Sequence, residues 1–163
     1  MMDSVTFFVP GIPVTKGSLT RMPNGAMIPA GTAASRQRFA NWRDDIRHAS
    51  IDAMGERMVS RAPIRILCEI SLPYPTSSIR KFQFGWLPHL KKPDVDKLLR
   101  AILDPLKGIV FADDSQVVFC TVNKVYAWND RPGAYIVIDF LTDEFMMRYG
   151  RDHRIVVDAI ESL

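Results

Sequence analysis

The chain has 163 residues, 47% of them hydrophobic, which suits one globular domain with an ordinary core and excludes a disordered chain. The net charge of +3 and sequence pI near 9.0 permit an anionic partner without demonstrating one. The longest uncharged stretch, Met22–Ser35, contains two prolines and two glycines and falls short of the roughly 20 apolar residues of a spanning helix. The acidic start, MMDSVTFFVPG, differs from a secretion signal, so we expect a cytoplasmic protein with no membrane segment.

The first half of the chain predicts two strands and one helix. A strand over Val5–Val9 ends at a proline and a glycine, and a Gly- and Pro-rich segment, Thr15–Ser35, is expected to be an exposed basic loop. Ser35 can cap a helix whose apolar residues recur at helical spacing. These residues are Phe39, Trp42, Ile46, Ala49 and Ala53. The clearest strand is Ile64–Leu72, where apolar residues occupy every second position.

In the second half, Pro73–Pro93 reads as a long functional loop, and a helix is expected over Lys97–Leu106, limited by Pro105. Three strands are expected to pair as a meander, and the tail is expected to be helical. The strands are Ile109–Phe111, Val117–Tyr126 and Ala134–Phe140, and the tail is Asp143–Leu163.

The stretch with the strongest chemical signal is KKPDVDKLLRAILDPLKGIVFADDSQVV, residues 91–118, in which two pairs of aspartates flank a short helix. Asp94 and Asp96 are two residues apart, so in an extended segment their side chains project from the same side and can share one ion. Asp113 and Asp114 lie in a turn that a compact helix–strand unit can bring back beside the helix entrance. Convergent aspartates without cysteine suit Mg²⁺ better than zinc, and such a cluster can activate water for phosphodiester attack.

A purely structural interpretation of the same acids is also available. Asp96 is a good helix N-cap, and Asp113-Asp114-Ser115 is an ordinary polar turn. Capping, however, needs one aspartate rather than two, and a turn does not require adjacent like charges that repel. The paired arrangement therefore favours metal binding.

Basic and aromatic residues around these acids are candidates for DNA contact. Lys97 and Arg100, one helical turn apart, either face phosphates and neutralise charge on the scissile group or form a solvated face. Four loop residues can follow a phosphate backbone, namely Lys16, Arg21, Lys91 and Lys92. Phe82, Phe84 or Trp86 can stack on unpaired bases or complete a core or subunit interface, and His89 is a candidate phosphate contact or support for the acids.

The motifs KPDVDKLLR and DDSQV resemble the RusA family of Holliday junction resolvases, whose pattern is approximately K-P-D-x-D-N-L-x-K, a helix and D-D-x-Q-V. The opening VPGIPVTKGSLTR is also similar to the strand and basic loop of that family, so the resemblance covers most of residues 5–140. Lys97 replaces the usual asparagine, and Arg100 replaces a lysine that contributes to catalysis in the family. These departures bear on junction preference.

The resemblance implies an α+β fold with a mixed sheet flanked by helices. Together with the chain length it predicts a single compact domain over residues 1–163 with a core at about 5–140. The helical extension over 143–163 is predicted from its spacing alone and has no counterpart in the family. It implies a homodimer that cuts four-way junctions by paired nicks with Mg²⁺ or Mn²⁺. Asp94, Asp96 and Asp114 are implied as metal ligands, with Asp113 as a supporting acid.

The leading hypothesis is therefore a dimeric, metal-dependent, structure-selective endonuclease. One alternative is a less selective nuclease acting on flaps, forks or other branched DNA, which the sequence does not separate from a resolvase. The other is a catalytically silent module that binds branched DNA. The retained DVD and DD pairs argue against silence.

Overall fold

A computed structural model describes residues 3–15, 19–21, 24–29, 32–74, 87–127 and 131–148. Its main sheet contains β1 (Asp3–Pro10), β4 (Ile64–Leu72), β5 (Val117–Tyr126) and β6 (Gly133–Phe140), and a separate hairpin contains β2 (Leu19–Arg21) and β3 (Met27–Pro29). The helices are α1 (Ala33–Met54), α2 (Val95–Leu106) and a short α3 over 143–148, and a 3₁₀ turn spans Asp114–Gln116. This is a mixed α+β fold, as the resemblance implied.

The main sheet has the order β1-β6-β4-β5, in which β6 is antiparallel to both of its neighbours and β5 is parallel to β4. Every second residue of β4 is buried, as the alternation predicted. These side chains join those of β1 and β6 and the inner face of α1, including Trp42 and Ile46, in one hydrophobic core. The first predicted strand and Ile64–Leu72 are thus confirmed.

The unit β4-α2-β5 positions the residues of interest. A crossover helix is the ordinary connection between parallel strands, and α2 fills this role while packing against α1. Helix α2 is amphipathic, and its apolar face is buried in the core. The hydrophobic residues of this face are Leu98, Ala101, Ile102 and Leu106. The opposite side of α2, with Asp96, Lys97 and Arg100, is exposed.

The predicted meander is wrong. β5 does not pair with β6. Strand β6 lies between β1 and β4 and forms its backbone hydrogen bonds with those two strands. The segment Ile109–Phe111 does not form a strand. The N–H groups of Ile109 and Val110 bond to the Leu106 carbonyl in a turn that follows α2, and Phe111 forms only isolated bridges with Ser60 and Lys107. Val110 and Phe111 are fully buried although they belong to no strand of the sheet.

Several predicted boundaries shift. Helix α1 begins at Ala33 and its N-cap is Thr32, whose hydroxyl accepts from the Ser35 N–H, so Ser35 is inside the helix. Helix α2 begins at Val95, two residues before its expected start. The expected loop Thr15–Ser35 contains the β2–β3 hairpin. The predicted helical tail is observed over 143–148, and residues 149–163 lie outside the described residues.

Candidate active site

The first acidic pair lies at the start of α2. Asp94 occupies the N-cap position with extended backbone angles, and Asp96 lies in the first helical turn, so the expected extended Asp94-Val95-Asp96 segment is not formed. The Asp94 carboxylate makes no capping hydrogen bond and instead accepts from the Lys97 ammonium at 2.8 Å. This contact lowers the pKa of Asp94, which stays ionised. The prediction that Asp96 is the N-cap of this helix is therefore wrong. Helix capping does not explain the presence of the Asp94 or the Asp96 carboxylate.

The second acidic pair follows the far end of α2. Asp113 accepts from the Lys107 ammonium and from the Ser115 N–H, and Gln116 accepts in return from the Asp113 N–H, which completes a capping box. The Lys107 contact, strengthened by the Ser115 N–H, lowers the pKa of Asp113 to about 2. Asp114, the first residue of the 3₁₀ turn, is exposed. Asp113 thus stabilises the polar turn, as the purely structural interpretation expected. Asp114 has no part in this capping box.

The two pairs lie at opposite ends of α2. Its 12 residues span about 18 Å at roughly 1.5 Å per residue, with Asp94 before its first residue and Lys107 after its last. Strand β5 shows a similar separation between the two acidic pairs. Lys124, near the end of β5, bonds to the segment just before Asp94, whereas Asp114 lies just before the start of β5 at Val117. The distance along β5 between Val117 and Lys124 is about 23 Å at roughly 3.3 Å per residue.

Within one chain, the acidic turn therefore does not return to the helix entrance, a closure that the sequence allowed but did not require. The antiparallel course of α2 and β5 leaves the turn at the far end of the helix. Among the described residues, which include all four aspartates, no group of three or more His, Cys, Asp and Glu side chains is placed to hold a metal ion. The assignment of Asp94, Asp96 and Asp114 as metal ligands stays a prediction.

Lys124 is a positioning residue that the sequence did not reveal. Its half-buried ammonium donates to the carbonyls of Lys91 and Pro93 at 2.7 and 2.8 Å, immediately before Asp94. The backbone of His89 also bonds to Lys124, through the His89 N–H and the Lys124 carbonyl. The segment entering α2 is thereby fastened to the edge of β5. A lysine within a largely apolar strand was the available signal.

His89 supports this attachment as a packed side chain. Its ring lies against Tyr126 with the ring centroids 4.6 Å apart, and Tyr126 in turn stacks on Tyr74. Burial, together with the charge of Lys124, lowers the pKa of His89. A buried imidazole that packs on Tyr126 beside a lysine does not suit a surface phosphate contact, so His89 has a packing role here.

The predicted basic residues divide by position. Lys91, Lys92, Lys97 and Arg100 are exposed around the start of α2, with Lys97 engaged to Asp94. Arg21 lies in β2, but its side chain is outside the described part, as is Lys16. Phe82, Phe84 and Trp86 also lie outside it. The cations near Asp94 form one exposed positive surface, which gives a phosphate a place beside the carboxylates.

The donor chemistry of both acidic pairs fits a magnesium ion. Each pair offers exposed carboxylate oxygens, and Mg²⁺ is commonly held by one or two carboxylates with water and substrate phosphate completing the shell. Neither pair includes a cysteine or histidine that would favour zinc. The lysines that now neutralise Asp94 and Asp113 would have to share or yield these oxygens.

An α+β unit with exposed aspartates and lysines at both ends of one crossover helix is suited to binding and cutting a phosphodiester backbone. The family model described as "Endodeoxyribonuclease RusA" matches residues 13–139, and the chain belongs to this family. The chain is also similar to an uncharacterized protein, YqaN, of Bacillus subtilis strain 168, with 26% identity over 136 residues, 80% of this chain and 93% of that protein. Family membership indicates an endodeoxyribonuclease, a hydrolase, and implies action on Holliday junctions. In the described part of the chain, no helix is long and apolar enough to cross a membrane.

Proposed function

We propose that the protein is a homodimeric, Mg²⁺-dependent endonuclease that resolves four-way DNA junctions by paired cleavage. The observation that carries this proposal is the pair of exposed aspartates at the start of α2, neither of which caps the helix, within a chain of the endodeoxyribonuclease family. The surrounding cations supply the attraction for DNA. Mn²⁺ is an alternative ion, because it accepts the same oxygen ligands.

Asp94, Asp96 and Asp114 are proposed to hold the metal ion, with Asp113 as a supporting acid that orders the turn through its capping box. The chemistry supplied at such a site, when Mg²⁺ is bound, is activation of water and stabilisation of the leaving oxygen. Arg100, exposed one turn after Asp96, is proposed to neutralise charge on the cleaved phosphate. Lys91, Lys92 and Lys97 are proposed to bind the flanking backbone, together with Lys16 and Arg21.

A homodimer offers a way for the separated acids to act together. In a two-fold contact, the start of α2 on one copy can lie beside the end of α2 on the other, and symmetry then repeats the same contact. Two equal sites would result, each containing Asp94 and Asp96 from one copy and Asp114 from its partner. Two such sites match the two equivalent strands of a junction.

The test incubates purified protein with a synthetic four-way junction and a linear duplex of matched sequence, with and without Mg²⁺. Junction cutting that requires the metal is expected, and Asp94→Asn and Asp114→Asn are expected to lower the cutting rate at least about 100-fold. Asp104→Asn is the matched control, because Asp104 is an exposed acid of α2 outside the proposed site. Junction binding should survive in all three variants.

The other outcomes identify the other functions. Equal rates on duplex and junction would indicate a less selective nuclease, and preferential cutting of flaps or forks would indicate a different branched substrate. Junction binding without cutting in any metal would indicate a silent binding module. Unchanged cutting by Asp94→Asn and Asp114→Asn would remove the proposed site.

A further inference from the structure

A groove of about 440 Å³ lies beside the first acidic pair, between the start of α1 and the start of α2. We call it the entrance groove. Arg38 of α1, Lys92, Asp94 and Lys97 form its polar lining, and Pro13 and Pro93 are among its apolar walls. It therefore joins three separate segments of the chain at the point where α2 begins.

The entrance groove is positively charged. Three cations face one carboxylate there, and that carboxylate is already neutralised by Lys97. In the described part of the chain, neither Arg38 nor Lys92 forms an ion pair. Their charges are therefore available to an anionic ligand.

The two helices add to this potential. Ser35, in the first turn of α1, and Asp94, the N-cap residue of α2, both line the groove, so the positive ends of two helix dipoles meet there. The Asp94 side chain makes no capping bond, so it does not serve as an acceptor for the first-turn N–H groups of α2. An anion in the groove would meet charged side chains and helix termini together.

The lining and the volume of the groove indicate which kind of anion can bind there. A guanidinium group binds a phosphate with two parallel hydrogen bonds, and the apolar walls suit a sugar. The volume accommodates about one nucleotide and is too small for a duplex. Resting on the proposed function, we propose that the entrance groove binds one backbone phosphate of a DNA strand at the branch point, with Arg38 as its principal ligand.

This places a strand of the junction directly beside Asp94. Arg38 is then a DNA-binding residue, distinct from the lysines of the loops, that sets where a strand enters the site. Arg38 is exposed, so its replacement should not unfold the protein. Arg43 is the matched control, because it is an exposed arginine of the same helix that does not line the groove.

The test measures junction affinity by fluorescence anisotropy in EDTA, for the wild-type protein, Arg38→Gln and Arg43→Gln. The junctions carry a single neutral methylphosphonate in place of one phosphate, moved stepwise along each strand on both sides of the branch point. The wild-type protein and Arg43→Gln should lose about fivefold or more in affinity at one position. Arg38→Gln should bind the unmodified junction more weakly by a similar factor and lose nothing further at that position.

Two results would overturn the assignment of Arg38. One is an Arg38→Gln profile that keeps every position-specific loss seen with the wild-type protein, and the other is an equal effect of Arg43→Gln. A wild-type protein that does not bind the junction at all would overturn the proposed function as well. The wild-type measurement therefore separates the two failures.

Discussion

Asp113 is held ionised by a neighbouring lysine, and this has a consequence that pH can reveal. The Lys107 ammonium and the Ser115 N–H lower its pKa from 3.8 to about 2. Because the folded pKa lies below the unfolded one, the contact stabilises the fold fully above about pH 4 and is lost as pH falls from 4 to 2.

Lys107→Met should raise the Asp113 pKa toward 3.8, because it removes the largest cause of the shift, while the hydrogen bonds to Ser115 keep part of the lowering. Carboxyl ¹³C NMR during acid titration measures this directly. Lys91→Met, which removes an exposed lysine outside this contact, serves as the control and should leave the value near 2. An unchanged Asp113 pKa in Lys107→Met would show that the ion pair does not persist in solution.

Arg100 permits a second test at the level of one residue. If its charge assists cleavage, Arg100→Ala should slow cutting of saturating junction at least about tenfold, while Arg100→Lys should retain most of the rate. Single-turnover cleavage kinetics provide the measurement, and Arg43→Ala controls for the loss of an arginine. Equal rates for Arg100→Ala and the wild-type protein would assign Arg100 to the solvated face.

At the level of elements, Lys124 fastens the segment before α2 to the edge of β5. Lys124→Met removes two hydrogen bonds from a charged donor and should lower the free energy of unfolding by about 1–2 kcal/mol. It should also raise the pKa of His89, since the charge of Lys124 is one cause that lowers it.

Urea unfolding and the NMR titration of His89 check both effects of Lys124→Met. Asn123→Ala, at an exposed neighbouring position of β5, is expected to change neither quantity appreciably. If Lys124→Met retained wild-type stability and His89 titrated as before, the proposed attachment would be wrong. A slower junction cleavage in Lys124→Met at full DNA saturation would indicate that the attachment also positions Asp94.

The elements also show what the sequence could and could not predict. Alternation in Ile64–Leu72 was sufficient because one face of that strand is buried and the other is more exposed. The apolar residues Ile109–Phe111 gave a false strand, because burial in a turn leaves the same pattern as burial in a ladder. The pairing of β5 depends on which side of β4 the chain docks after α2, and no local pattern encodes that choice.

The candidate site was predicted as a set of residues but not as an arrangement. The doubled aspartates identified both acidic pairs, since neither capping nor turn formation needs two. Their separation could not be foreseen, because it follows from the antiparallel course of α2 and β5. Arg38 was missed because it is 56 positions from Asp94 in the sequence and meets it only through the packing of α1 against α2.

At the level of the whole molecule, one chain keeps its acids at the two ends of α2, and the proposed function needs them together. A two-fold dimer would create two shared sites, each with the first pair from one copy and Asp114 from the other. The proposed active site is therefore built from two subunits.

The most direct measurement mixes two inactive variants. Differently tagged Asp94→Asn and Asp114→Asn subunits are co-expressed, and junction nicking by the mixture is measured with Mg²⁺. Each hybrid dimer would carry both substitutions in one site and leave the other intact, so nicking should return to about a quarter of the wild-type rate. A mixture of Asp94→Asn and Asp96→Asn, which leaves no site intact, should stay inactive. An inactive first mixture, with hybrid dimers confirmed by capture through both tags, would contradict the shared site.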